Sequence, residues 1–142
     1  METAMRISAR VRNTHGKHTV DLQTDKSAHA IVIPPKSTGF GSSANGGELL
    51  FLALATCYCN DIYREAARRG MTVTGVEVSV EGEFGLEGEP ARNVVYSAEV
   101  KAKAPVSEIK ELMMHTDRLA EIQNTLRGGT AVMLARMNAL SV

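Results

Sequence analysis

The chain has no tryptophan, aromatics make up only 4% of it, and its two cysteines, Cys57 and Cys59, stand two positions apart. Thiols so close in sequence cannot staple a long loop, which excludes an extracellular disulfide framework and leaves both reduced at rest. Net charge is missing as well, since 16 Lys plus Arg balance 16 Asp plus Glu. That balance removes the electrostatic basis for binding nucleic acid or an anionic membrane. The longest apolar run, residues 49–59, falls short of the roughly 20 residues a bilayer span needs. No apolar signal region follows the first charges, and the expected location is the cytoplasm. What is present is an ordinary globular composition, 44% hydrophobic over 142 residues. That is enough for one core and predicts a single domain over residues 1–142.

The first third alternates with period two: Ile7, Ala9 and Val11, then Val20 and Leu22, then Ile31 and Ile33 before Pro34 and Pro35. With the turn residues His15-Gly16-Lys17 between the first two stretches, this predicts an antiparallel meander of three strands. Residues 36–47 are rich in Ser, Gly, Thr and Asn and read as a flexible loop into a helix. Residues 48–69 then contain neither Gly nor Pro and stop at Gly70, a good C-terminal cap. The N-terminal half of that helix, Leu49 through Ala55, leaves no polar face, whereas the half from Asp61 to Arg68 is amphipathic. A half-helix that is apolar all round must be covered by the N-terminal sheet or by a second subunit. Two further alternating stretches, residues 73–81 and 94–103, predict a second hairpin. Ile109, Leu112, Met113, Leu119 and Ile122 recur near helical spacing, with Thr116-Asp117 as a dividing point between two helices, and residues 130–140 read as a last strand.

Cys57 is the first candidate for chemistry. A thiol becomes a nucleophile when a nearby cation or dipole lowers its pKa and it stays reachable; otherwise a free cysteine is simply a small buried hydrophobe, and both readings stand for Cys57. Asp61 and Arg64 share its helix face, four and seven positions on. At a rise of about 1.5 Å per residue Arg64 lies about 10 Å along the axis, too far to activate the thiol directly, so a cation must come from elsewhere. Cys59 points about 200° away and cannot pair with Cys57 on a regular helix. His15 and His18 could join these cysteines around a metal, but Cys-x-Cys on a helix is poor zinc spacing, and no metal or cofactor is expected. The glycines at 39, 41, 46 and 47 lack the Lys-Ser/Thr of a phosphate cradle.

The stretch Gly46-Gly47-Glu48-Leu49-Leu50-Phe51-Leu52-Ala53-Leu54-Ala55-Thr56-Cys57, followed by Asp61, resembles the central-helix signature of the OsmC-like family, which includes the organic hydroperoxide resistance proteins. Asn124-Thr125-Leu126-Arg127 in the later helix adds to the resemblance, as does the order of elements. It implies an α+β fold with an N-terminal antiparallel meander, a long central helix, a second hairpin, C-terminal helices and a final strand. It also implies an intertwined homodimer, in which the long helices of two subunits pack together.

In the peroxidase members the cysteine matching Cys57 attacks a hydroperoxide to give a sulfenic acid, and a second cysteine condenses with it. Here that second position is Ala120, within Ala120-Glu121-Ile122-Gln123, so an external thiol, or Cys59 of the same or the partner subunit, must take its role. Glu48 is the second site residue implied. It stands nine positions before Cys57, as in the other OsmC-like branch, whereas the hydroperoxide resistance branch would place its carboxylate at Gly47. Nine residues put Glu48 and Cys57 on opposite helix faces, so their contact is expected across a dimer. Arg12 and Lys17 give no clear match to the activating arginine of the peroxidase branch. The resemblance thus implies a one-cysteine, thiol-dependent peroxidase acting on organic hydroperoxides or another small electrophile. The rival reading is a non-enzymatic dimer that binds a small apolar ligand in its intersubunit cleft.

Overall fold

The computed structural model describes residues 4–142 and divides into two compact units, one up to Leu49 and one from Leu50 onward. In the first unit the expected meander is present as β1 (Ile7–Thr14), β2 (Lys17–Thr24) and β3 (Ser27–Ala30), antiparallel in the order β1-β2-β3. Ala9 faces Leu22 and Val11 faces Val20, which puts the apolar positions in register on one face. The turns are set by Gly16 at φ 69° and Asp25 at φ 50°; Asp25 Oδ1 accepts from the Arg6 N–H at 3.0 Å and ties the second turn to the start of β1. β3 ends before Ile31, so the third strand stops short of the two apolar residues that suggested it. The prolines at 34 and 35 have no N–H to give to a ladder.

The loop expected to be flexible is tied down. Asn13 holds Gly41 by two hydrogen bonds, N–H to Oδ1 at 2.9 Å and Nδ2–H to the carbonyl at 3.1 Å, and the Gly16 N–H donates to the Gly39 carbonyl at 2.9 Å. His15 meets Phe40 edge-on at 5.2 Å. The loop delivers Asn45 as the cap of α1 (Gly46–Arg68). The Asn45 N–H donates to Glu48 Oε1 at 2.9 Å and the Glu48 N–H donates to Asn45 Oδ1 at 2.8 Å, a reciprocal capping box.

In the second unit α1 runs on to its stop at Gly70, whose φ of 66° lets the Met71 and Gly70 N–H groups reach back to the Ala66 and Ala67 carbonyls. β4 (Val73–Glu83) and β5 (Arg92–Ala102) then form an antiparallel hairpin with Val76 opposite Val100 and Val78 opposite Ala98. Tyr58, Ile62 and Ala66, spaced by four along α1, make a buried stripe with Leu112 of α2 (Val106–Leu119), and Val76, Val78, Tyr96, Ala98 and Val100 pack against it. Ile62 and Leu112 are fully buried, each worth roughly 2–3 kcal/mol of hydrophobic stabilisation.

Two expectations are corrected here. Thr116-Asp117 does not divide the helical region: the Thr116 hydroxyl donates to the Leu112 carbonyl at 2.8 Å, so the helix absorbs it and continues to Leu119. The break falls at Ala120, in extended conformation, and α3 (Glu121–Arg127) follows. The last strand expected over residues 130–140 is not formed. The two sheets are β1-β2-β3 and β4-β5, and with no ladder partner the segment cannot be a strand. Its side chains stand open, Val132 at 95% and Leu134 at 80% exposure. Among the described residues no helix is long and apolar enough to cross a membrane.

Candidate functional site

Cys57 lies in the first turn past the all-apolar stretch of α1, half-buried and unpaired, as is Cys59. The helix brings Asp61 to its side as the spacing required, and the break at Ala120 brings Glu121 to the other. The Cys57 sulfur lies 3.7 Å from Asp61 Oδ2 and 3.6 Å from Glu121 Oε2, so its one S–H can donate to either carboxylate. Arg64 makes no contact with the sulfur but binds the other oxygen of each carboxylate, Asp61 Oδ1 at 3.1 Å and Glu121 Oε1 at 3.3 Å. Each carboxylate therefore presents one oxygen to the guanidinium and one to the thiol. Arg64 is in turn held by Glu65, which is buried at 3% exposure and also binds Arg68 at 2.8 Å and His115 at 3.0 Å.

The electrostatics follow from this layout. Burial raises the Cys57 pKa, the Ile122 backbone N–H opposes that, and the charges of Asp61 and Glu121 add to the rise. Burial and then the proximity of Glu121 push Asp61 up to about 6, against the pull of Arg64. For Glu121 burial acts upward, but its own backbone N–H, Asp61 and Arg64 outweigh it and its pKa falls. At rest the sulfur is a thiol held by two acids, with the cation one layer behind.

Glu121 sits where it does because α3 is anchored on three sides. The Gln123 Nε2–H donates to the Leu54 carbonyl at 3.0 Å, tying α3 to α1. Arg127 binds Asp117 at 2.7 Å, and Asp117 also accepts from the Tyr96 hydroxyl, so α3, α2 and β5 meet at one carboxylate. Asn124 bonds the Arg118 carbonyl at 3.0 Å and spans the break. Asn124-Thr125-Leu126-Arg127 is thus the clamp of α3 rather than part of the reacting group. Between α1, α3 and the β4–β5 hairpin lies an open cleft of about 520 Å³, lined by Leu50, Leu54, Phe84, Val94 and Leu126 among others.

Of the residues singled out from sequence, Cys57, Asp61 and Arg64 come together. Glu48 is the capping-box partner of Asn45, nine positions and about 14 Å of helical rise before Cys57. His18 Nδ1 bonds Asn13 and His15 packs on Phe40, so the histidines are engaged elsewhere. The group of side chains among the described residues that could hold a metal is Cys57, Asp61 and Glu121, whose ligand atoms lie within 4.8 Å of one another, with Arg64 already supplying a positive charge to both carboxylates. Glu121 is the residue that sequence reading missed. Its signal was available, because it follows the alanine that stands where a second cysteine was sought.

The family model described as OsmC-like protein matches residues 39–135. The chain belongs to the OsmC-like family. Solved structures agree at the level of fold. An OsmC-like protein from Mycoplasma pneumoniae is similar at a TM-score of 0.61 and 21% identity, covering 91% of each chain. An OsmC-like hydroperoxide resistance protein from a Jannaschia species is similar at a TM-score of 0.54 and 15% identity, over 96% of this chain and 95% of that one. An organic hydroperoxide resistance protein from Legionella pneumophila gives 0.53 and 14%, over 87% and 90%. No curated protein sequence matches. This OsmC-like chain departs from a two-cysteine arrangement in a defined way: where the second sulfur was expected it has a fully buried Ala120, and the next residue brings a carboxylate to the first.

Proposed function

We propose that this OsmC-like chain is a redox protein that reduces organic hydroperoxides with Cys57 as its one nucleophile. The observation that carries this reading is the placement of the Cys57 sulfur, half-buried between Asp61 and Glu121 with Arg64 behind them. In the reaction the thiolate attacks the terminal peroxide oxygen, an S–O bond forms as the O–O bond breaks, and the products are a Cys57 sulfenic acid and an alcohol. With Ala120 in the second position an external thiol condenses with the sulfenic acid and a further thiol releases Cys57, which suits a cytoplasmic setting rich in reduced thiols. The open cleft one helical turn before Cys57, at Leu54, supports an organic rather than a purely inorganic peroxide.

The same proposal includes a homodimer that completes the single OsmC-like domain. The exposed apolar residues Ile7 and Val11 of β1, Leu52 of α1 and the tail from Val132 to Leu140 support it. In such a dimer Glu48 of a second copy is the carboxylate brought toward Cys57. Glu48→Gln separates its two roles, since glutamine keeps the capping box and loses the charge.

The test is sulfenic acid trapping on reduced protein treated with tert-butyl hydroperoxide. Wild type and Cys59→Ser are expected to label and Cys57→Ser is not; label on Cys59 alone, or none, ends the peroxidase reading. The same cleft favours a second reading, a dimer that binds a small apolar molecule without chemistry. Retention of an apolar fluorescent probe, together with absent sulfenic acid in wild type, would select it.

A further inference from the structure

The peroxidase reaction moves a proton as well as an oxygen atom. The Cys57 thiol must lose a proton to attack, and the alkoxide that leaves must gain one. Among the described residues, two side chains lie within hydrogen-bond reach of the sulfur, and both are carboxylates, one from α1 and one from the start of α3. Their four oxygens are divided: Oδ1 and Oε1 face Arg64, while Oδ2 and Oε2 face the sulfur within 3.7 Å and 3.6 Å. The pair differs in access, with the Asp61 side chain 9% exposed and that of Glu121 63% exposed.

We infer that Asp61 and Glu121 act together as the acid–base group of this thiol, catalytic residues that take the Cys57 proton and return it to the departing alkoxide. The inference rests on the peroxidase reading. Two carboxylates so close retain a proton more readily than either alone, which agrees with the rise of Asp61 to about 6. Arg64 keeps the pair in place and lets it return to the doubly ionised form, and Glu65, itself bound by Arg68 and His115, fixes Arg64.

The step balances. The thiol proton passes to a carboxylate oxygen, the sulfur electron pair forms the S–O bond to the alkyl hydroperoxide, and the O–O pair leaves with the alkoxide. That alkoxide takes the proton back from the carboxyl group as alcohol departs. Sulfur is oxidised, the peroxide is reduced, and the pair ends in its starting state. Glu121, the exposed member, exchanges any surplus proton with water. In this chain the segment that was expected to bring a resolving sulfur brings the proton carrier instead.

A purely electrostatic role predicts the opposite outcome for removal of these charges, because both carboxylates raise the thiol pKa. The experiment therefore compares two electrophiles on Asp61→Asn and Glu121→Gln. Iodoacetamide expels iodide, which needs no proton, whereas tert-butyl hydroperoxide expels an alkoxide. With acid–base catalysis, alkylation of Cys57 at pH 7 becomes faster in the variants while sulfenic acid formation slows by on the order of 10²-fold. The wild-type oxidation rate rises through about pH 6 and then levels. If oxidation and alkylation both accelerate in the variants, or if wild-type oxidation climbs tenfold per pH unit beyond 8, the inference is overturned and the peroxidase reading stands. If wild type forms no sulfenic acid at all, both fall. Glu121→Gln alters an exposed side chain and keeps the test open should Asp61→Asn fail to fold.

Discussion

In β4 and β5 the inward residues Val76, Val78, Ala98 and Val100 lie against Ile62 and Leu112, whereas in β1 Ile7 and Val11 stand 71% and 58% exposed. Both sheets are antiparallel and both place alternating apolar residues opposite one another, Val11 facing Val20 and Val76 facing Val100, so the difference does not arise from the strand pairing. It arises from what each can pack on. The hairpin has α1 and α2 to cover it; within the meander Val20 is the one buried residue. A pattern of period two states that a face is to be buried and is silent on which chain does the burying.

The largest expected effect addresses that contrast directly. On the dimer reading, Val11→Asp puts a charge into an interface and breaks a dimer that wild type forms at micromolar concentration, because an unpaired buried charge costs several kcal/mol. Sedimentation checks it, and a wild-type monomer would mean that the exposed meander is free surface. Next comes the packed region. Ile62→Ala, at 0% exposure, is expected to cost about 2–5 kcal/mol in denaturant unfolding, with a dependence on protein concentration no different from that of wild type.

Third is Glu65, which binds Arg64, Arg68 and His115 from a buried position; Glu65→Gln should cost on the order of 2 kcal/mol at pH 7. Its carboxyl is held below its ordinary value of 4.5, chiefly by Arg64. A carboxyl with a depressed folded pKa stabilises the protein above the unfolded value and loses that contribution as pH falls through the folded one, so the gap in Tm between variant and wild type narrows below pH 4.5. Asp61 has the opposite sign. Its pKa is raised from 3.8 to about 6, so the folded state loses ground as pH rises across that window, and Asp61→Asn should raise Tm at pH 7 relative to its effect at pH 4. The smallest effect is at the cap: Glu48→Ala should cost about 1 kcal/mol and Glu48→Gln a few tenths. Equal losses in stability for the two would show that the charge, not the capping box, is what Glu48 supplies.

Against these outcomes, the legible part of the sequence was the part governed by local rules. The meander, the long helix with its stop at Gly70, the hairpin and the family followed from periodicity, a glycine cap and one helical motif. The strand expected over residues 130–140 failed because its alternation met no ladder partner; the other misreadings lie where a side chain found a partner that local rules do not count. Thr116 was read as a breaker and instead bonds back to Leu112; the loop before α1 was read as flexible and is pinned by Asn13. Three of the four members of the candidate site were legible for the same reason: Cys57, Asp61 and Arg64 share a helix face by arithmetic. Glu121 comes from 64 positions away, through a break at Ala120 that no cap residue announced, and only packing of α3 brings it to the sulfur.

The tail beyond Gly129 carries a consequence for how the protein is made. Val132, Met133, Leu134, Met137 and Leu140 all stand at least 80% exposed, along a segment whose one formal charge is Arg136. On the dimer reading, a newly synthesised chain holding such a tail is in a race: docking onto a second copy and clumping with any other sticky surface both depend on encounter, and both consume the same residues. Yield during expression should then, on that reading, turn on how quickly two chains meet, so that co-localised synthesis favours the paired product and slow, crowded synthesis favours aggregates.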